Sequence, residues 1–294
     1  MKIYDCFTFF NELDLLELRL EELYPYVDFF VISEGDRTHS GIKKEFIFEK
    51  NKKRYEKFLK KIIYLKVEMP EFNWFDRLLI KVEKKTHGFI TRFIGSNFRL
   101  GKWRLDNFQR SAIIRGLSNC EGEDIILVSD LDEIPNPKKF GQMKMLLKES
   151  PKAGFMQKYF NHYLNGFVND EWLGTRACTF IYLKRKLRSD PQYIRLKKFH
   201  FLLDRFGIGK IKVITGGGWH FNNVGKREEV IQKIMSKTEA DLFKGNLAEK
   251  LRRNESSDYL GIIDAKLKYV PIDNSFPEAI LKNRRKYSKF IKKI

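Results

Sequence analysis

The run DIILVSD, residues 124–130, constrains the fold more than any other stretch. Ile125, Ile126, Leu127 and Val128 follow one another without a polar residue, so a strand built from them has no wet face. Strands of that kind sit inside parallel sheets covered by helices on both sides. The segments IYDCFTF (3–9), VDFFVISE (27–34) and IIYLKV (62–67) predict companion strands. Helices are predicted over 12–24, 51–61 and 103–117. Strand alternating with helix predicts an open α/β sheet. Over 12–24, Leu13, Leu16, Leu20 and Leu23 form one apolar stripe. Asn11 suits the N-cap, Glu12 and Asp14 the helix dipole, and Pro25 the stop.

After Pro137 the pattern loosens. A helix is expected at 137–148, then aromatic segments at 154–167 and 175–184. A strand and glycine turn follow in IKVITGGGWHFNN (211–223), then a helix at 226–237. Residues 70–101 read as a helix, a flap or both. With no repeat or low-complexity linker, residues 1–294 are expected to form one unit with two functional halves, 1–135 and 136–294. The C-terminus, AILKNRRKYSKFIKKI, is strongly basic. As a helix it would align Ile280, Tyr287, Ile291 and Ile294. That face suits either an anionic membrane surface or the chain's own domain.

A formal net charge of +19 calls for a polyanionic partner or describes a solvated lysine-rich surface. No nucleic-acid motif accompanies it, so nucleic acid is not expected as a partner. Three distant cysteines suggest neither a disulfide framework nor a zinc site. No segment is apolar enough to span a membrane. The N-terminus lacks a secretory pattern, so a cytoplasmic location, peripheral to a membrane or free, is expected.

The strand at 124–130 ends in acids: Asp130, Asp132 and Glu133 fall within four positions. Ligands of open α/β sheets bind beyond the carboxyl ends of the strands. Two carboxylates there can face one magnesium or manganese ion and so neutralise a diphosphate. The same acids can instead cap the next helix. GGGWHFNN (216–223) places His220 after three glycines, as a third ligand or as a packed core residue. Glu34 ends the second strand at what should be the same sheet edge. Arg110 could meet phosphate as a bidentate donor. Either residue also reads as a surface ion-pair member.

Together FNELDLLELRLEEL (10–23), VDFFVISEGDRTHSG (27–41), DNFQRSAIIRGL (106–117), DIILVSDLDEIP (124–135), GGWHFNN (217–223) and FPEAILKNRRKY (276–287) resemble glycosyltransferase family 17. The resemblance implies a GT-A-like α/β fold, a UDP-sugar donor with N-acetylglucosamine as the sugar, manganese or magnesium, and inversion at the anomeric carbon. It makes 1–135 the nucleotide-sugar half and 136–294 the acceptor half. Asp130 and Asp132 would then bind metal and diphosphate, with His220 beside them. Asn11 and Glu34 would lie at the nucleotide end and Arg110 near the donor. The acceptor would be a glycan, lipid-linked or free, in a bacterial or viral enzyme working from the cytosolic side. Glu133 is the first choice for the base that takes the acceptor proton, followed by Glu171 and Asp170. Glu133 could also simply hold the metal acids in place. The rivals are another metal-dependent phosphate enzyme, such as a nucleotidyltransferase or phosphohydrolase, and a non-enzymatic polyanion-binding protein.

Overall fold

The first strands assemble in the expected parallel order. β1 (Ile3–Phe9) pairs with β2 (Phe29–Gly35), β2 with β3 (Ile62–Val67), and β4 (Ile125–Asp130) with the free side of β1. The structure, a computed structural model, describes residues 1–85, 101–195, 211–236 and 267–294. Within β4 the side chains alternate between two cores. Ile125 and Leu127 join Phe7, Phe30 and Leu16 on one face, while Ile126 and Val128 join Cys6, Val31 and Ile113 on the other. That division is the reason the strand carries no polar face. Each such side chain contributes roughly 1.5–3 kcal/mol by leaving water.

Helices cover both faces. α1 (Leu13–Leu23) buries Leu16, Leu20 and Leu23 as expected. α2 (Ile47–Asn51) runs into a 3-10 segment, Lys52–Lys61, where one helix was expected over 51–61. α3 (Trp74–Lys85) falls inside the ambiguous 70–101 stretch, of which residues 86–100 lie outside the described residues. The helix expected over 103–117 is α4 (Arg104–Ser111) followed by a 3-10 turn, Ala112–Leu117. Gly116 makes that turn possible: a Cβ there would stand 2.6 Å from the Val31 side chain on β2.

Beyond β4 the sheet becomes mixed. The elements are β5 (Glu133–Pro135), α5 (Phe140–Glu149), β6 (Lys152–Asn161), β7 (Gly166–Thr179), α6 (Phe180–Lys186), α7 (Gln192–Arg195), β8 (Lys212–Ile214), β9 (Gly218–Asn222), α8 (Arg227–Ser236), β10 (Lys268–Tyr269), α9 (Glu278–Lys282) and α10 (Arg284–Tyr287). β7 joins β4 antiparallel, and the sheet continues in the order β3-β2-β1-β4-β7-β6-β9-β5. One mixed sheet therefore runs through both halves of the chain. The helix expected to 237 is described as far as Ser236.

The basic C-terminus takes the docked alternative. It is two short helices and a 3-10 turn, not one amphipathic rod, and Ile280, Tyr287 and Phe290 are buried. The Tyr287 hydroxyl donates to Glu21 at 2.8 Å, and Lys286 pairs with Glu17 at 2.7 Å. Both partners lie on α1. No helix among the described residues is long and apolar enough to cross a membrane.

Candidate active site

A cavity of about 410 Å³ opens beyond the carboxyl ends of β1, β2 and β4. Its lining includes Phe9, Phe10 and His39, the charged Asp130, Asp132 and Lys233, and the rings of Tyr159, Trp172 and His220.

The acidic loop is held from below and from the side. Arg19 on α1 is fully buried and grips Asp5 with two bonds of 2.8 and 2.6 Å. The rest of its guanidinium donates to the carbonyls of Asp130, Leu131 and Glu133, each at 3.0 Å. From the side, β9 pairs with β5 so that His220 lies opposite Glu133. The Phe221 N–H donates to the Asp132 carbonyl at 2.8 Å. Gly218, with φ +133°, lets the strands meet, since a Cβ there would stand 2.2 Å from the Ile134 carbonyl oxygen. The two motifs DLDEIP and GWHF are thus zipped together, as their proximity to one site requires.

Asp130 is 38% exposed and bonds Arg110 at 2.6 Å and Arg195 at 3.1 Å. Burial opposes its ionisation, but the Arg195 and Arg110 charges outweigh it and hold the carboxyl well below the usual range. Asp132, 6% exposed, meets Lys233 at 2.7 Å and His220 Nε2 at 3.5 Å. It too is buried, yet Lys233 and His220 keep its carboxyl far below the ordinary value.

Glu133, the first choice for the base, is enclosed by other groups. It is 0% exposed. Its carboxylate accepts the Asp130 N–H at 3.0 Å and Trp172 Nε1 at 2.9 Å, and it is bridged by both terminal nitrogens of Arg195. These bonds link Glu133 to the Asp130 backbone and share Arg195 with the Asp130 carboxylate. Asp170 and Glu171 are exposed at a bulge of β7, beside Trp172, and do not line the cavity.

Glu34 and Asn11, expected at the nucleotide end, do not line the cavity and are engaged elsewhere. Glu34 is fully buried and accepts from Lys44 Nζ at 2.6 Å, the Ile47 and Phe48 N–H groups at 2.6 and 3.0 Å, and the Tyr64 hydroxyl at 2.8 Å. It caps α2. Asn11 does not cap α1, whose N-cap position is Glu12. Its amide nitrogen donates to the Glu229 carbonyl at 3.1 Å and to Gln232 at 3.0 Å, tying α8 to the β1–α1 loop. Phe10 and Glu12, the chain neighbours of Asn11, line the cavity instead.

Sequence reasoning missed Arg19, Arg195, Lys233 and Trp172. Arg19 carried a signal: it sits on the apolar stripe of α1, three residues after Leu16 and four before Leu23. An arginine on a core-facing stripe needs a buried partner. Arg195 and Lys233 stand in ordinary basic stretches, and nothing local marks them.

A hard divalent cation suits part of this donor set. Asp132 Oδ1 and His220 Nε2 stand 3.5 Å apart, too far for a strong hydrogen bond and a spacing two ligands of one ion can take. His220 Nδ1 is buried with no partner among the described residues. No three His, Cys, Asp or Glu side chains converge on a metal position among the described residues. Magnesium is nonetheless commonly held by one or two protein groups plus substrate phosphates.

A family model described as glycosyltransferase family 17 matches residues 1–188. None of the curated proteins matches the chain. Among solved structures, the crystal structure of S. aureus TarS 1-349 is 13% identical, with 91% of this chain and 76% of that chain covered and a TM-score of 0.42. A UDP-glucose pyrophosphorylase complexed with UDP-glucose is 12% identical, with 83% of this chain and 100% of that chain covered and a TM-score of 0.29.

Proposed function

This chain belongs to glycosyltransferase family 17, and we propose that it moves N-acetylglucosamine from a UDP-sugar to a glycan hydroxyl, with inversion, in the cavity at the acidic loop. The observation that carries the reading is the loop itself. Asp130 and Asp132 lie among Arg110, Arg195 and Lys233 at the carboxyl ends of parallel strands, where a diphosphate would meet fixed cations.

The residues divide the work along the cavity. Phe9, Phe10 and His39 form the end suited to the nucleoside, with the His39 ring fixed by a 2.9 Å bond to Gln109. Arg110 and Lys233 face the position of the diphosphate and stabilise the charge it gains as the sugar leaves. Asp132 and His220 would hold magnesium or manganese, which supplies further neutralisation of that charge. Tyr159 and Trp172 form the apolar wall against which a sugar ring would lie. His220 packs against both, with ring centroids 4.8 and 4.4 Å away, and the two rings are themselves 5.5 Å apart.

Glu171 and Asp170 are exposed beside Trp172 but outside the cavity lining, so either would take the acceptor proton only where the acceptor itself reaches over the β7 bulge. Asp130 and Asp132 are poor candidates, because a carboxyl held so far below its ordinary value binds protons weakly.

The test is product analysis with a panel of nucleotide sugars, with and without manganese. UDP release from UDP-N-acetylglucosamine, lost in Asp132→Ala, is the expected result. Release of pyrophosphate or inorganic phosphate in its place would assign the site to another phosphate chemistry.

A further inference from the structure

Lys233 reaches the acidic loop from α8, on the far side of the cavity from β4. Its ammonium stands 2.7 Å from Asp132 and 2.7 Å from Glu12. The side chain is only 12% exposed, so water screens these contacts poorly. A point charge between two carboxylates from different segments occupies the kind of position a bridging divalent cation takes. A cation ligated by Asp132 would meet this ammonium at close range, and like charges in a half-buried site repel strongly. One of them has to give way.

The surroundings allow the side chain to move while the helix stays. α8 is tied to the β1–α1 loop by Asn11, which bonds the Glu229 carbonyl and Gln232. The Ser40 N–H donates to the Ser236 carbonyl at 3.1 Å. Neither tether involves Lys233. Glu12 offers a second anchor, and its other oxygen is steadied by the Asn11 N–H at 3.1 Å.

We propose that Lys233 is a resident counter-ion of Asp132 that yields this carboxylate to a divalent cation, trading it for the donor's diphosphate while Glu12 retains the ammonium. The inference rests on the glycosyl-transfer reading of the cavity. It makes cation and nucleotide binding cooperative. Without nucleotide the metal competes with the ammonium, and with nucleotide the diphosphate offers the ammonium a new partner.

Manganese binding to the full chain, followed by titration calorimetry with and without UDP, tests the exchange. Lys233→Met should bind manganese about tenfold more tightly than wild type in the absence of UDP, within the usual range of coupling effects. The strengthening of manganese binding by UDP should shrink in that variant. Lys226→Met, which removes an exposed charge just before the same helix, should behave as wild type and controls for net charge. Lys233→Gln, which keeps polar contacts to both acids, serves the same comparison if Lys233→Met melts early.

Equal or weaker manganese binding by both Lys233 variants would overturn the proposal. So would an equal gain in Lys226→Met, or no manganese binding by any form with or without UDP. Turnover of nucleotide sugars is scored separately. A manganese gain without sugar transfer leaves the exchange standing and rejects the transferase reading, and transfer without the gain does the reverse.

Discussion

Glu34 and Asp130 end parallel strands on either side of β1, and they come to opposite uses. Their register along β1 differs by one residue: Glu34 lies opposite Phe9, and Asp130 opposite Thr8. Successive residues of a strand point to opposite faces, so this single step sends the two carboxylates to opposite sides of the sheet. Glu34 goes under α2, where two backbone N–H groups, a tyrosine and a lysine consume it. Asp130 turns toward α4 and α7 and, among the described residues, pairs with the side chains of Arg110 and Arg195, with 38% of its own side chain exposed. Ser33 is the β2 residue on the cavity face, and its hydroxyl holds the Gln109 carbonyl at 2.8 Å. A strand-end acid becomes a site when its partners are side chains that can be exchanged, and a cap when they are backbone groups that cannot.

The sharpest way to break this contrast is on the cavity side. Asp132→Ala should lower sugar transfer by about a thousandfold or more, in line with removal of a group acting on the departing charge, while the protein stays folded with a lowered melting temperature from the lost Lys233 ion pair. Turnover close to wild type would remove the acidic loop from the chemistry. On the other face, Glu34→Ala should cost about 3 kcal/mol of stability, because it leaves a buried ammonium and two helix N–H groups without an acceptor. Denaturant unfolding measures that loss, and UDP-sugar affinity of the folded protein should not change. A tenfold weaker affinity without loss of stability would return Glu34 to the nucleotide end.

Glu133→Gln probes the residue between these extremes. As a brace it should lower kcat by about tenfold, less than the 10²–10⁴ typical of a lost base, and leave the shape of the pH–rate profile intact. Loss of the basic limb would restore it as the base.

The smallest expected effect is in acid. Asp130 and Asp132 have depressed folded values, so their ion pairs lend stability above the unfolded carboxylate value, about 3.9, and lose it as pH falls below that. The melting difference between wild type and Asp130→Asn should be constant above about pH 5 and close below about pH 4. A difference that grows in acid would contradict the assigned direction.

Much of the architecture was open to reading because it is local. The apolar run at 125–128 needs two covered faces, and β3 matches its predicted limits because its apolar run is bounded by Lys60 and Lys61 before it and by Glu68 and Pro70 after it. The helix over 51–61 was misjudged where a 3-10 segment replaced regular α turns. The face that Glu34 takes is not legible from the strand end alone, because it depends on the register of β2 against β1. Arg19 could have been suspected from its place on the apolar stripe of α1. Lys233 could not, since its bond to Asp132 joins residues 101 apart along the chain.

By itself the sequence determined that an acidic tip would cap a doubly buried parallel strand, because apolar runs and strand breakers act on their own neighbourhood. Only the tertiary structure decided which acids face the cavity and which cations hold them. Pleat parity between neighbouring strands and the approach of α7 and α8 are set by pairing across the sheet, and no short segment contains that information.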